Sequence, residues 1–163
     1  GTCGACHGRG DDPTPLPGSH RAHGSPWRTS AIGCEECHIV PTTPLDMGHL
    51  DDLVLGAGVA FGARATARGA TPMRETDGSC RNVACHGFGL DGGFHTTPTW
   101  GATDGLAATC GACHAAPPPP PHTTIRTCAS RICHGSEIAY TPSGPGISEV
   151  GRAVHIDGML VVP

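Results

Sequence analysis

The sequence predicts a mostly irregular fold, with short helical turns and at most a few short strands. Glycine and proline make up 41 of 163 residues (25 Gly and 16 Pro), a level near that of non-periodic disordered chains. The aromatic content is 4%, and no stretch has the 3.6-residue apolar period of a long amphipathic helix. Such a chain buries too little side-chain surface to offset its conformational entropy, so something other than a side-chain core must order it.

The cysteines indicate what that is. Ten cysteines form five pairs, and a histidine directly follows the second cysteine of each pair. The motifs are CGACH, CEECH, CRNVACH, CGACH and CASRICH, at Cys3–His7, Cys34–His38, Cys80–His86, Cys110–His114 and Cys128–His134. Disulfides need no adjacent histidine, and structural zinc uses paired CxxC knuckles or separated histidines. Covalent haem needs both parts, because two thiols add to its vinyl groups while the imidazole reaches the iron.

The pattern therefore predicts five c-type haems, with zinc and disulfides as the alternatives. The predicted thioether residues are Cys3, Cys6, Cys34, Cys37, Cys80, Cys85, Cys110, Cys113, Cys128 and Cys133. The predicted proximal iron ligands are His7, His38, His86, His114 and His134. Two motifs have four residues between their cysteines instead of two. We interpret them as variants of the same site, since the longer segment only has to loop outward for the first cysteine to reach its vinyl group. The alternative for these two motifs is a pair of free thiols or a disulfide.

Six further histidines lie outside the haem motifs and are predicted distal ligands: His20, His23, His49, His95, His122 and His155. Six for five irons allows every haem two histidines, with one to spare. His20 and His23 are the ambiguous pair, because either could be spare or bind a haem of a neighbouring subunit. Pro117–Pro121 predict an extended rod that carries His122 to a haem other than that of His114. Met47, Met73 and Met159 are less favoured alternatives as ligands.

Internal similarity predicts a single unit with two related modules, residues 1–79 with two haems and residues 80–163 with three. CGACH followed by a proline-rich stretch and a histidine occurs at Cys3–His20 and again at Cys110–His122. GHLDDLV at 48–54 resembles VHIDGMLVV at 154–162, which favours His49 and His155 as ligands. Short strands are predicted at Leu53–Phe61 and Met159–Val162, and most aromatic side chains are expected against haem faces.

The chain resembles the multihaem c-type cytochromes with alternating CxxxxCH and CxxCH sites found in metal-reducing and related bacteria. The resemblance rests on HLDDLVLGAGVAFGARATARGATP, SCRNVACHG, TPTW, CGACHAAPPPPPH, CASRICHG and VHIDGMLVV, which cover most of residues 48–162, and on CGACHG, SHRAHG and CEECH before them. It implies an exported electron-transfer protein whose closely packed haems the coil wraps. Some multihaem cytochromes with similarly little polypeptide for each haem polymerise into extracellular conducting filaments.

These observations predict an electron carrier and not an enzyme. The expected assembly is a head-to-tail homopolymer outside the cell; a periplasmic shuttle is the alternative, and a multihaem reductase with one open haem is less favoured. Expected partners are other redox proteins or extracellular electron acceptors, with no nucleic acid and no membrane span. The formal net charge is −4. Two propionates on each ferric haem bring it to about −9, which favours basic partners.

Overall fold

The computed structural model describes residues 16–24, 29–43, 45–46, 58–142 and 144–157. Most of these residues are coil, as predicted. Two short α-helices are present, α1 (His20–Gly24) and α2 (Glu149–Val154). Four single-turn 3₁₀ helices cover Cys34–Glu36, Ala67–Gly69, Ala84–His86 and Leu106–Ala108. No helix of the described ranges is long and apolar enough to cross a membrane.

Two antiparallel hairpins provide the strands. β1 (Met73–Arg74) pairs with β2 (Cys80–Arg81) through a turn in which Gly78 has φ +83° and Asp77 accepts a bond from the Ser79 amide. β3 (Ile138–Thr141) pairs with β4 (Gly144–Ile147), with Ile138 opposite Ile147. Ser148 caps α2, because its Oγ accepts a bond of 3.0 Å from the Gly151 amide.

The strand predicted at Leu53–Phe61 is wrong over its described part. Residues 58–61 are coil, and residues 53–57 lie outside the described ranges, as does the strand predicted at Met159–Val162. The Ala60 amide donates to the Cys37 carbonyl at 2.9 Å and the Gly62 amide to the Glu36 carbonyl at 3.0 Å. This segment follows the Cys34–His38 motif because its backbone donors bind that turn, and they are not available to a neighbouring strand.

The buried apolar side chains are small. Among the described residues they are Ala65, Ala70, Val83, Ala84 and Ala112. Hydrogen bonds connect the residues before position 79 with those after it; one is from the Ala84 amide to the Ala65 carbonyl. The division into modules at residues 79 and 80 stays a prediction.

Gly87 joins two haem motifs by direct backbone contact. It ends the Ala84–His86 turn with φ +101°, and a Cβ built on it overlaps the carbonyl of Cys113. Nearby, the His95 amide donates to the Ala112 carbonyl at 2.9 Å. The close approach of the two motifs therefore requires glycine at position 87.

We expect Gly87→Ala to lower the free energy of unfolding of the haem-loaded protein by about 3 kcal/mol. The alanine would have to adopt a left-handed backbone conformation, and its Cβ would overlap the Cys113 carbonyl. Gly105→Ala is the matched control, because Gly105 has φ +72° and no atom within 4 Å of a built Cβ. Its cost is about 1 kcal/mol. Urea unfolding followed by circular dichroism measures both. Equal losses in the two variants would show that the contact with Cys113 contributes nothing.

Candidate haem-attachment and axial-ligand sites

Tight turns hold the described Cys-His motifs. The His38 amide donates to the Cys34 carbonyl at 2.9 Å, and the His86 amide donates to the Val83 carbonyl at 3.0 Å. The helical turns predicted at these two motifs are present. At Cys110–His114 and Cys128–His134 the backbone forms turns and not helices. Cys3, Cys6 and His7 lie outside the described residues.

The thiols of two motifs share one partly buried region. Burial raises the pKa of Cys85 to about 11 and also raises the pKa of Cys37 and Cys80. The negative charge of Cys80 further raises the pKa of Cys37, and that of Cys37 contributes to the shift of Cys85. Neither Cys80 nor Cys85 forms a disulfide, and the same holds for Cys128 and Cys133. The Cys34–His38 and Cys80–His86 motifs therefore lie side by side, with neutral thiols.

Every described proximal histidine has the ring of a predicted distal histidine opposite it. The pairs and their ring-centre distances are His20–His38 (6.2 Å), His23–His86 (6.1 Å), His114–His155 (6.4 Å) and His122–His134 (6.2 Å). A metal–imidazole bond is about 2.0 Å, as for zinc, and the bonding nitrogen lies about 1.1 Å from its ring centre, so rings on opposite sides of one metal have centres about 6.2 Å apart. The pair spacing matches that of two axial ligands on one iron.

The hydrogen bonds of the imidazoles match the same role. Five described histidines place Nδ1 within 2.6–2.9 Å of a backbone carbonyl: His20 at Pro17, His23 at Ser19, His38 at Gly58, His114 at Ala115 and His122 at Thr123. A carbonyl can only accept, so Nδ1 carries a proton in each contact, and Nε2 is the nitrogen that remains to bind a metal. Metal-bound histidines are oriented in this way.

His86 and His95 are the more buried members of the set. Burial first, and then the nearby His23 and His95, lower the pKa of His86 to about 4, although a bond with the Cys80 backbone opposes the shift. His86 is therefore neutral at pH 7, as a ligand must be. The Nε2 atom of His95 is buried and has no hydrogen-bond partner. His95 lies near His86 and belongs to none of the four ring pairs; His49 lies outside the described residues.

The extended rod predicted at Pro117–Pro121 is wrong, although His122 does lie beside a proximal histidine other than His114. A turn ends the proline stretch, because the His122 amide donates to the Pro119 carbonyl at 3.2 Å. The turn brings His122 opposite His134, with the two rings only 4° from parallel. An open cavity of about 650 Å³ lies between Cys110 and His122, and Arg126 lines it.

Sequence reasoning missed Arg68. Its guanidinium Nη2 donates to the carbonyls of Ala84 at 2.7 Å and Phe88 at 3.0 Å, on both sides of Cys85 and His86. No local pattern could have indicated it, because the partners lie 16 and 20 residues along the chain. Among the described residues no cluster of three or more His, Cys, Asp or Glu side chains gathers to hold a bare metal ion.

Residues 79–114 match a family model described as the Geobacter CxxxxCH...CXXCH motif. The matched segment contains both CRNVACH, with its four-residue gap, and CGACH. The comparison supports a multihaem c-type cytochrome. The matched segment thus contains one motif of each spacing, and the second motif with the longer gap, Cys128–His134, lies outside it. No curated protein and no solved structure matches the chain.

The residues fit the cofactor of that family. Haem supplies one-electron chemistry at its iron when bound. The paired cysteines would hold it covalently, and the histidine pairs would supply imidazole nitrogens to its iron. Haem-attachment motifs of this kind are typical of exported compartments.

We expect Arg68→Ala to lower the free energy of unfolding of the haem-loaded protein by about 1–3 kcal/mol, because two carbonyls around the Cys80–His86 motif lose their charged donor. Arg68→Lys should recover part of the loss, since a single ammonium cannot reproduce the forked contact. Arg74→Ala, on the exposed face of β1, is the control. Urea midpoints compare the three, and an Arg68→Ala midpoint equal to that of the control would contradict the expectation.

Proposed function

We propose that the protein transfers electrons through five covalently bound c-type haems, each with two histidine ligands. The observation that supports the proposal is the set of four imidazole pairs at 6.1–6.4 Å, each joining a Cys-His motif to a histidine elsewhere in the chain. Aromatic pairs of any kind have ring centres about 4.5–7 Å apart, so the spacing is not unique to metal ligands. The pattern supports the proposal because all four pairs fall within 6.1–6.4 Å and each combines the histidine of a Cys-His motif with one outside the motifs.

The proposed axial pairs follow from this spacing: His38 with His20, His86 with His23, His114 with His155, and His134 with His122. In this assignment neither His20 nor His23 is the spare histidine. The proximal ligand that remains is His7, and the distal histidines that remain are His49 and His95. One of these completes the fifth haem, and the other is the spare.

Two imidazoles on each iron favour electron transfer over catalysis. An iron with both axial positions filled has no site for a substrate, so its protein controls only ligand type, burial and nearby charge. Bis-histidine ligation and a formal net charge of −4 both favour low potentials, because negative surroundings stabilise ferric iron. A reductase of small oxyanions would instead need one open iron in a pocket with acid–base groups.

The low-temperature electron paramagnetic resonance spectrum of the oxidised protein tests this function. We expect only low-spin ferric signals, because all irons carry two imidazoles. His122→Ala should convert the signal of the His134 haem alone to high spin. Thr123→Ala is the matched control, since its side chain is outside the proposed ligand set. A native spectrum with about one iron in five high-spin would contradict the proposal and favour the reductase.

We further propose that the protein is an extracellular conduit that assembles head to tail. The resemblance to multihaem cytochromes with little polypeptide per haem, some of which polymerise, supports this. A filament lets electrons pass between subunits without diffusion of the carrier, which suits delivery to extracellular acceptors. The alternative is a discrete periplasmic shuttle with the same haems.

Negative-stain electron microscopy of the haem-loaded protein, over a range of concentrations, distinguishes these two forms. We expect filaments of uniform width that lengthen with concentration, since a heterologous contact that does not close gives an open polymer. Light scattering on the same samples measures the mass of the assembly. Discrete monomers at high concentration would leave the electron-transfer function in place and favour the shuttle.

A further inference from the structure

Helix α1 carries two proposed ligands for two different irons. His20 and His23 are three residues apart, so their side chains leave the same side of the helix. Their rings lie opposite His38 and His86, which belong to different motifs. The helix has five residues, none of them buried. A helix this short is not stable by itself, so something outside it must hold both rings in place.

Trp100 contacts both rings. Its indole meets the His20 ring edge-on, with centres 4.9 Å apart and planes at 84°. The same indole stacks on the His23 ring, with centres 5.5 Å apart and planes at 19°. Both arrangements are favourable for aromatic pairs and fix the orientation of the rings, not only their position. Trp100 is one of two tryptophans in the chain.

The backbone around Trp100 joins α1 to the Cys80 motif. The Gly101 amide donates to the Ser19 Oγ atom at 2.9 Å, at the start of α1. On the other side, the Trp100 amide donates to the Gly78 carbonyl and the Cys80 amide to the Pro98 carbonyl, both at 2.9 Å. The indole also occupies the space that a Cβ at Gly18 would fill, so glycine at position 18 admits it.

We propose that Trp100 is the positioning residue for two neighbouring irons, because it fixes the planes of both His20 and His23. This rests on the proposed function. Each of these rings has one hydrogen bond, from Nδ1 to the Pro17 or Ser19 carbonyl, and one bond leaves a ring free to rotate about it. Contact with Trp100 removes that rotation. Orientation of an axial imidazole is a lever by which a protein sets the electronic properties of iron.

The test uses the electron paramagnetic resonance spectrum and redox titration of the haem-loaded protein. His20→Met and His23→Met first identify which signals belong to the two irons, since a thioether ligand raises their potentials. We expect Trp100→Ala to shift or broaden those two signals and to leave the signals of the other haems unchanged. Trp100→Phe should give a smaller change of the same kind. Tyr140→Ala, which removes an exposed aromatic on β3, should change no signal.

The outcomes separate this inference from the proposed function. A Trp100→Ala spectrum identical to the native one, or one in which all signals change alike, overturns the role of Trp100. A native spectrum with about one iron in five high-spin contradicts the proposed function instead. The haem-to-protein ratio, measured by absorbance, shows whether Trp100→Ala folds. If it does not, Trp100→Phe decides: a selective change in the two signals supports the inference, and an unchanged spectrum overturns it.

Discussion

The spacing of paired imidazoles is the constraint on which the rest of this structure depends. In each pair one ring belongs to a Cys-His motif and the other lies outside the motifs, and the two ring centres are 6.1–6.4 Å apart. Short local elements carry the histidines of these pairs. α1 carries two of the rings, the end of α2 carries His155, and the turn after Pro119 carries His122.

The chain's own apolar packing is too small to impose that spacing. Its buried apolar residues in the described ranges are four alanines and one valine. Large apolar side chains next to the haem motifs are exposed instead, with Ile39 82% and Ile132 93% accessible. Ile39 follows His38 directly and Ile132 precedes Cys133. In the proposed haem-loaded protein, porphyrin would supply the apolar surface that the polypeptide lacks.

The local chemistry of this chain could be predicted from its sequence, but the long-range partners could not. The Cys-His pairs and the sparse secondary structure follow from composition and adjacent residues. The strand predicted at Leu53–Phe61 failed over its described residues, 58–61, because the Ala60 amide bonds to the Cys37 carbonyl. The rod at Pro117–Pro121 failed because a turn closes on Pro119. Arg68 was missed for the same reason that His20 and His23 stayed ambiguous: their partners lie far away in sequence, and spacing along the chain carries no information about them.

That ambiguity has a structural meaning in the proposed assignment. Two histidines three residues apart place their Cβ atoms about 5–6 Å apart, so the irons that they bind must be close neighbours. The corresponding motifs, at His38 and His86, fall in the two different predicted modules. Cys80 contributes to the raised pKa of Cys37, and Cys37 contributes to that of Cys85, which indicates the same proximity from the thiol side. In the proposed assignment, α1 therefore joins the two predicted modules, and the order of haems would follow the distal ligands as well as the order of motifs in the sequence.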